Sequence, residues 1–355
     1  MVDSKKKKVL FFLPSGVGGA EKMTVNIAKM LDTSMYSVKF VLVDRCVREI
    51  ASYLPDRYEV SLIKIRNIWD FTILKLIKKM RYERPDIVFC SLLYLNPRVI
   101  IAAKIVGGIK IIIRNDAYMN RIKGLTRLMM KYAYPKTDVL IAQTDQMRKE
   151  IINTLPIDPQ RIYTLHNPVD TELIDSRLIN ANSPYKVEGI KYVATSRINP
   201  FKGQDILIKA FAKVHESLPN SHLFLINRYN EENPYYLELV SLVDQFGLNN
   251  YVHFPGFTDN PYQWLKYANC FILASRREGL PNSLIEASYV GIPLVATRCL
   301  DIIQEIVKDG VNGFTVAVDD INGMAMAMIN AINLNSQGMT YKQSSKEEFL
   351  HLFEC

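Results

Sequence analysis

The sequence predicts an α/β protein built from two doubly wound domains. Apolar, β-branched runs recur roughly every 20 to 30 residues, with helix-period segments between them, which is the pattern of parallel sheets covered on both faces. At about 150 residues per domain, a chain of 355 residues accommodates two such domains. A polar stretch at 178–189, LINANSPYKVEG, interrupts the pattern as an interdomain linker does.

These patterns define the expected domains and strands. We assign 1–177 to an N-terminal domain, 178–189 to the linker, 190–335 to a C-terminal domain and 336–355 to a tail. Ligands of doubly wound domains bind beyond the carboxyl ends of the strands, so two facing domains are expected to enclose a central cleft. The predicted strands are 8–13, 37–43, 58–63, 86–91, 110–113, 138–142, 162–165, 190–195, 222–226, 251–254, 269–273 and 293–297.

Composition excludes several classes of protein. With 48% hydrophobic and 23% charged residues the chain is an ordinary globular protein, not a disordered one. Its longest apolar stretch, 99–113, is interrupted by Lys104 and Lys110, and the apolar run at 9–13 is too short for a signal peptide. We therefore expect no membrane-spanning helix and a cytoplasmic location. The 5 cysteines are an odd number without close pairing, which favours a reducing compartment over a disulfide or zinc framework.

Charge is distributed unevenly along the chain. Residues 1–186 contain 31 Lys and Arg against 18 Asp and Glu, whereas 187–355 contain 13 against 18. The basic half could attract nucleic acid, an anionic membrane or a phosphorylated substrate, and charge alone does not choose among them.

The loop after the first predicted strand, 14–21, is rich in glycine and precedes a helix ending near Leu31. Glycines allow a ligand to approach the backbone at a helix N-terminus, where free N–H groups favour an anion or a sugar hydroxyl. A dinucleotide-binding fingerprint requires a third glycine at position 21, which is Glu21. Asp44, at the end of the next strand, still leaves a nucleotide-dependent oxidoreductase as an alternative, and a simple tight turn is another.

A second loop, 195–205, follows the first strand of the C-terminal half and carries Arg197 and Lys202. Two cations at the carboxyl end of a strand can bind a diphosphate without a metal ion. The alternative is that both cations are simply solvated. A helix over about 205–217 is expected to follow.

The stretch 274–295 is the most informative. Glu278 lies in a loop and Glu286 in a helix that starts near Ser283, so the two carboxylates are eight positions apart in the sequence. Backbone N–H groups over 280–283 would be exposed at the helix start and available to phosphate oxygens. Alternatively, Ser283 and Glu286 form a capping box that only stabilises the helix, and Glu278 is a solvated loop residue.

Residues 118–133, YMNRIKGLTRLMMKYA, alternate apolar and basic residues at roughly helical spacing, as helices at membrane surfaces do. The segment 75–84 repeats this composition. Nucleic-acid binding is not expected, because no recognised module accompanies the charge. The cations that we assign to an acceptor or a membrane are Arg121, Lys123, Arg127 and Lys131. In the alternative they are only solvated, while the helix packs on the core through Ile122, Leu125, Leu128 and Met129.

Taken together, these motifs resemble those of the retaining, nucleotide-sugar-dependent glycosyltransferases of family four (glycosyl transferases group 1), which have the GT-B fold. The resemblance rests on the order of the motifs over about 330 residues, since any one of them is weak. They are PxxxGGAE at 14–21, HNPVD at 166–170, SRxxxxKG at 196–203, FPGF at 254–257, EGLPNSLIEA at 278–287, GIPLVAT at 291–297 and DGxNGF at 309–314.

The resemblance implies a donor site in the C-terminal domain. Arg197 and Lys202 would bind the donor diphosphate and stabilise the charge that develops on the leaving nucleotide. Glu286 would hydrogen-bond the donor ribose, and Glu278 hydroxyls of the transferred sugar. The implied catalytic residues are thus Glu278, Arg197 and Lys202. The remaining donor-binding residues are Gly279, Leu280, Pro281, Asn282, Ser283, Phe254 and Pro255, together with Gly18 and Gly19 of the N-terminal domain, which would line the cleft opposite the sugar.

Two departures from the family pattern matter. Many members have a histidine after the strand that here ends in the sequence IRND at 113–116, where it touches the transferred sugar. Asp116 or Asn115 is the candidate substitute, and we include Asp116 among the catalytic candidates. The tail 336–355 is short for the helix with which the family returns to its first domain, so it either returns there or frays.

The resemblance implies a retaining transferase that uses a nucleotide sugar, with UDP expected because it is the commonest donor nucleotide of the family. The expected acceptor is a glycan or a polyprenyl-diphosphate-linked sugar in cell-surface polysaccharide synthesis, at the cytoplasmic face of the inner membrane. Neither a cofactor nor a metal is expected. The alternatives are a nucleotide-dependent oxidoreductase and a GT-B protein that binds a nucleotide without transferring a sugar; an epimerase of related fold lacks support in the motifs.

Overall fold

A computed structural model describes residues 6–16, 18–46, 50, 54–65, 71–119, 122, 124–227, 229–335 and 341–354. The chain divides into two compact units. The first comprises Met1–Pro168 and Gln343–Cys355, and the second Val169–Lys342.

The first unit is a doubly wound parallel sheet. Its seven strands lie in the order β3-β2-β1-β4-β5-β6-β7, and each neighbouring pair is parallel. The order reverses between β1 and β4, so the loops after these strands flank the point where such sheets bind ligands. The strands are β1 (Lys7–Leu13), β2 (Tyr36–Asp44), β3 (Glu59–Lys64), β4 (Ile87–Cys90), β5 (Lys110–Arg114), β6 (Val139–Ala142) and β7 (Ile162–Thr164).

Helices follow most of these strands. They are α1 (Gly19–Met30), α2 (Thr72–Glu83), α3 (Asn96–Val106), α4 (Gly124–Ala133) and α5 (Asp145–Thr154). Strand β1 lies in the core of the first unit, and its residues from Val9 to Leu13 are buried.

The second unit repeats the plan with six strands in the order β10-β9-β8-β11-β12-β13, again all parallel. Its order reverses between β8 and β11. The strands are β8 (Ile190–Thr195), β9 (Ser221–Ile226), β10 (Val252–Gly256), β11 (Cys270–Leu273), β12 (Leu294–Thr297) and β13 (Gly313–Val316). The helices are α6 (Thr171–Leu178), α7 (Gln204–Ser217), α8 (Pro234–Gln245), α9 (Pro261–Lys266), α10 (Asn282–Val290), α11 (Ile303–Ile306) and α12 (Ile321–Ala331).

The last helix, α13 (Lys346–Glu354), belongs to the first unit. Its Phe353 is 1% exposed and packs in the core of that unit. The Phe353 ring lies 6.2 Å from the rings of both Phe11 and Phe89. Burial of an aromatic side chain supplies a large hydrophobic contribution, so this short helix is anchored by its apolar face.

The predicted α/β class and the two doubly wound sheets are confirmed. Each of the twelve predicted strands coincides with an observed strand to within two residues, and β13 was missed. The units divide at Pro168, before the predicted linker. The reason is α6, which packs against α9, while its Asp175 accepts a hydrogen bond of 2.9 Å from Tyr289 Oη. Among the described helices, none is both long and apolar enough to cross a bilayer.

Candidate functional site

Two loops at the switch point of the second sheet bring predicted site residues together. Lys202, in the loop after β8, places its Nζ 2.6 Å from Glu278 Oε1 in the loop after β11. Ser275 Oγ donates a hydrogen bond of 2.6 Å to the same carboxylate oxygen. Glu278 is 7% exposed, and a buried carboxylate needs such partners. Glu278 is therefore a fixed part of the site, and its interpretation as a solvated loop residue is wrong.

The loop after β8 also carries Arg197, which is exposed. Gln204 Nε2 donates to the Arg197 carbonyl and to Ser196 Oγ, both at 2.9 Å. This buried amide holds the backbone of the loop, while the guanidinium of Arg197 extends from its surface. The two cations thus differ: Lys202 is paired with a carboxylate, and Arg197 is presented to solvent.

Helix α10 begins at Asn282 with Pro281 as its N-cap, and no side chain caps it. Ser283 therefore lies inside the helix, and the capping-box interpretation of Ser283 and Glu286 is wrong. The N–H groups of Asn282 and Leu284 donate to the carbonyls of Leu280 and Pro281, both at 3.0 Å, so only part of this helix start is available to an anion. Glu286 is half-buried on the second turn.

The remaining residues of this edge occupy the loop 278–283 and the end of β10. Leu280 is 8% exposed, and Gly279 is partly exposed beside it. The carbonyl of Phe254 accepts a hydrogen bond of 3.3 Å from Tyr229 Oη, and its ring packs edge-on against Tyr236. Pro255 is exposed.

In the first unit, Gly18 is the N-cap of α1 with extended backbone. A Cβ at Gly18 would lie 2.6 Å from Glu21 Oε2, so the Glu21 carboxylate covers this glycine. Gly19 is exposed at the start of the helix. Ser15, which is buried, places its Oγ 2.8 Å from Asp44 Oδ2. Asp44 thus holds the glycine loop, a role that differs from the ribose contact of an oxidoreductase.

Asp116 and Asn115, the candidate substitutes for the family histidine, have different environments. Asn115 is 0% exposed, and its Oδ1 accepts a hydrogen bond of 2.9 Å from Tyr134 Oη. Asp116 is partly exposed, and its Oδ1 accepts from the Leu93 N–H at 3.2 Å. Burial raises the pKa of Asp116 to about 6. Of the two side chains, only the Asp116 carboxyl is placed to meet a ligand.

Comparison with known proteins connects both units to one family. The model of the family described as Glycosyl transferases group 1 matches 189–333, and that of Glycosyltransferase Family 4 matches 17–173. Together they cover most of the chain. The chain is a glycosyltransferase of this family.

Relatives support the assignment along the length of the glycosyltransferase. An uncharacterised glycosyltransferase of Methanocaldococcus jannaschii is 29% identical over 65% of this chain and 61% of its own length. A Campylobacter jejuni relative is 23% identical over 96% of this chain and 94% of its own. Its name describes an N-acetylgalactosaminyltransferase that acts on a diphospho-undecaprenol-linked sugar.

Solved structures show the same GT-B fold. The Anabaena protein HepE in complex with UDP-glucose has a TM-score of 0.79 at 19% identity, with 98% of each chain covered. S. aureus TarM, in a complex that includes UDP, has a TM-score of 0.76 at 14% identity, with 98% of this chain and 99% of TarM covered.

The glycosyltransferase exposes a basic, apolar helix in its first unit. Arg127 and Lys131 are exposed on α4. Leu125 and Leu128 beside them are 56% and 64% exposed, whereas Met130 is buried. The alternative that packed Leu125 and Leu128 on the core is therefore wrong. Two further predicted cations, Arg121 and Lys123, lie outside the described residues.

Several residues that shape these sites were not predicted from the sequence. Arg114, 1% exposed, donates from Nη1 to Ser91 Oγ at 2.9 Å and from Nη2 to Asn167 Oδ1. In the second unit, Arg276 donates two hydrogen bonds to Asp205. The HNPVD motif contains Asn167 but does not indicate its contact with Arg114. At 276–277 the sequence has two adjacent arginines, and nothing in it indicates that Arg276 is the one that pairs with Asp205.

Proposed function

We propose that this glycosyltransferase transfers a sugar from a UDP-linked donor to a glycan or polyprenyl-diphosphate-linked acceptor, with retention of the anomeric configuration. The observation that carries the proposal is the Lys202–Glu278 pair of 2.6 Å at the switch point of the second sheet. Nucleotides bind to doubly wound sheets at this point. Relatives of the same fold include complexes with UDP and UDP-glucose.

The proposed mechanism places positive groups of the protein against the negative phosphates of the donor. Lys202 and Arg197 bind the donor diphosphate and stabilise the negative charge that grows on it as the glycosidic bond breaks. The start of α10, which no side chain caps, is proposed to direct the positive end of its helix dipole at the same phosphates. Because these groups provide the positive charge, we propose that transfer needs no metal ion; addition of a chelator should leave turnover unchanged.

Glu278 and Glu286 are assigned to hydroxyl groups of the donor. Glu278 accepts hydrogen bonds from Ser275 and Lys202 through one oxygen, Oε1. These bonds fix the carboxylate at the switch point, where we propose that it meets the sugar hydroxyls. Glu286, half-buried on α10, is proposed to bind the ribose. The family resemblance is the basis for these two roles.

The acceptor assignment rests on the first unit and on relatives. Two Campylobacter jejuni relatives, at 23% and 24% identity, are named for acceptors linked to undecaprenol through a diphosphate. A lipid-linked diphosphate is both anionic and apolar, and α4 exposes both cations and leucines. We propose that α4 faces an anionic membrane surface and that the enzyme associates peripherally with the cytoplasmic side of the inner membrane.

The first experiment is a thermal-shift panel with UDP, GDP, ADP, NAD and common sugar conjugates. A ligand that binds the native state raises its stability in proportion to RT ln(1 + [L]/Kd). Stabilisation by UDP and its sugars without NAD is expected. Stabilisation by NAD alone would support an oxidoreductase, and nucleotide binding without transfer to lipid-linked acceptors would support a non-catalytic protein.

The membrane proposal has its own test. Vesicles containing anionic lipid should bind the wild-type protein in a salt-sensitive manner, and Arg127→Gln with Lys131→Gln should weaken binding. The matched control, Lys209→Gln with Lys213→Gln on α7, removes the same charge from the second unit. Equal binding by both double variants would contradict the assignment of α4.

A further inference from the structure

Arg276 joins three loops at the carboxyl edge of the second sheet. Its Nη1 donates to the Pro200 carbonyl at 2.7 Å and to Asp205 Oδ1 at 2.8 Å, and its Nη2 donates to Asp205 Oδ2 at 2.7 Å. Its Nε donates to Asp319 Oδ1 at 2.6 Å. One guanidinium therefore connects the loop after β8, the start of α7 and the loop after β13.

The backbone around Arg276 holds the residue that precedes Lys202. The N–H groups of Arg276 and Arg277 both donate to the Phe201 carbonyl, at 2.8 and 3.3 Å. The Arg277 guanidinium lies 4.9 Å from the centre of the Phe201 ring. Phe201 is thus fixed from the loop after β11 by its backbone and by its side chain.

The residue that follows Lys202 is fixed as well. Gly203 has φ +66°, and a Cβ there would lie 2.1 Å from the Ala274 carbonyl oxygen. Only glycine combines this left-handed backbone with so close an approach. Lys202 therefore extends from a backbone held on both sides, and its Nζ reaches Glu278 at 2.6 Å.

The pairing between Arg276 and Asp205 is specific to arginine. Two parallel N–H groups meet two carboxylate oxygens, a geometry that the single ammonium of lysine cannot reproduce. Tyr235 Oη donates a further hydrogen bond of 2.8 Å to Asp205 Oδ1. Both Nη atoms of Arg276 are therefore hydrogen-bonded within the protein, to Asp205 and to the Pro200 carbonyl.

We propose that Arg276 is a positioning residue for donor binding. By fixing the turn Pro200–Lys202, it holds Lys202 where the donor diphosphate binds. This inference rests on the proposed function and adds to it a residue that acts through Lys202. In the competing explanation, Arg276 contacts the phosphates directly.

The test compares Arg276→Gln, Asp205→Asn and a control, Arg148→Gln, in the full-length protein. Arg148 also donates to two backbone carbonyls, those of Ile162 and Pro159, but it lies in the first unit. Calorimetry measures the affinity for UDP and for UMP, which lacks the second phosphate, and steady-state kinetics give the donor KM and kcat.

We expect Arg276→Gln and Asp205→Asn to weaken UDP binding by about tenfold or more but UMP binding by less than about threefold. The donor KM should rise in parallel, and Arg148→Gln should resemble the wild type. Arg276→Lys should recover little affinity, because it restores the charge without the two-pronged contact. If Arg276→Gln does not fold, Asp205→Asn and Tyr235→Phe make the same comparison.

Three results would overturn the proposal. Equal losses of UDP and UMP affinity would indicate a general structural role. Normal UDP affinity in Asp205→Asn together with weak binding in Arg276→Gln would show direct phosphate contact. Full recovery by Arg276→Lys would do the same. A wild-type protein that binds no UDP, GDP or ADP would instead contradict the proposed function itself, so the two failures are distinguishable.

Discussion

The carboxyl edges of the two sheets hold charge in opposite ways. In the second unit, cations meet carboxylates directly: Lys202 pairs with Glu278 and Arg276 with Asp205. In the first unit, the buried Arg114 donates to the neutral oxygens of Ser91 and Asn167. In these contacts the second sheet pairs charge with charge, whereas the first sheet pairs a buried cation with neutral side chains.

This difference appears in the pKa values of two aspartates. Burial raises the pKa of Asp116, to about 6, and the nearby Arg114 offsets only part of the effect. Burial also acts to raise the pKa of Asp205, but hydrogen bonds from Arg276 and Tyr235 outweigh it and lower the pKa. Hydrogen bonds from a guanidinium thus lower the pKa of Asp205, whereas for Asp116 burial outweighs the effect of the nearby Arg114 and raises the pKa. This difference agrees with the donor site proposed in the second unit and with a contact between Asp116 and a sugar hydroxyl in the first.

The largest expected effect comes from breaking the ion-paired edge. Lys202→Met should lower kcat by about a hundredfold or more, because it removes the cation proposed to bind the leaving diphosphate and deletes the ammonium that pairs with the buried Glu278. Lys213→Met, on the exposed face of α7, is the matched control and should retain normal turnover. Steady-state transfer assays check this, with thermal unfolding to verify the fold. Near-normal turnover of Lys202→Met would show that the Lys202–Glu278 pair does not contribute to the reaction.

The second prediction concerns how the contribution of Asp116 to stability depends on pH. The folded-state pKa of Asp116 is above the ordinary value of 3.8, so its contribution to stability is complete below that value and is lost as pH rises through about 6. Asp116→Asn removes the cost of the buried charge while keeping an acceptor for the Leu93 N–H. We expect the variant to exceed the wild type in stability above pH 6, by up to about 3 kcal/mol, and to match it near pH 4.

The same substitution, Asp116→Asn, should lower the transfer activity. If Asp116 binds a sugar hydroxyl, Asp116→Asn should reduce transfer by about tenfold and abolish any rise in rate near pH 6. Asp138→Asn is the control, since Asp138 pairs with Lys104 in the same unit and is partly exposed. Urea unfolding and transfer rates at several pH values measure both effects. If the variant is more stable at high pH yet fully active, Asp116 does not take part in sugar transfer.

The fold was largely predictable from the sequence because buried parallel strands are continuous apolar runs. The exception is β13, Gly313–Val316, which has four residues and follows the turn at 309–312 too closely to stand out as a separate run. Helix starts were less certain: α10 begins at Asn282 after Pro281, one residue before the predicted Ser283. Proline has no side-chain acceptor, so the usual N-cap signal is absent at the true start of this helix.

Site residues were predictable where each stands in a recognisable motif. Glu278 and Lys202 were selected from separate loops, and the structure brings them to 2.6 Å. Arg276 was not selected, because its partners Asp205 and Asp319 are distant in sequence and follow other strands. Pairings between loops depend on strand order, which periodicity does not reveal.

The smallest expected effect tests the neutral edge of the first unit. Tyr134 is 0% exposed, and its Oη accepts from Asn96 Nδ2 at 3.1 Å and donates to Asn115 Oδ1 at 2.9 Å. Tyr134→Phe leaves both buried amides without this partner, which should cost about 1–3 kcal/mol in the free energy of unfolding. The control is Tyr132→Phe, two residues earlier and 63% exposed, which should change stability by less than about 0.5 kcal/mol.

Chemical denaturation of the two tyrosine variants measures the difference, and UDP titration shows where it acts. Because the hydroxyl of Tyr134 bonds only within the first unit, Tyr134→Phe should leave UDP affinity unchanged while Lys202→Met weakens it. A loss of UDP affinity in Tyr134→Phe would mean that the neutral edge contributes to donor binding, and the division of roles between the two edges would fail. Unchanged stability would show instead that the amides find other partners, so that the network is less constrained than its hydrogen bonds indicate.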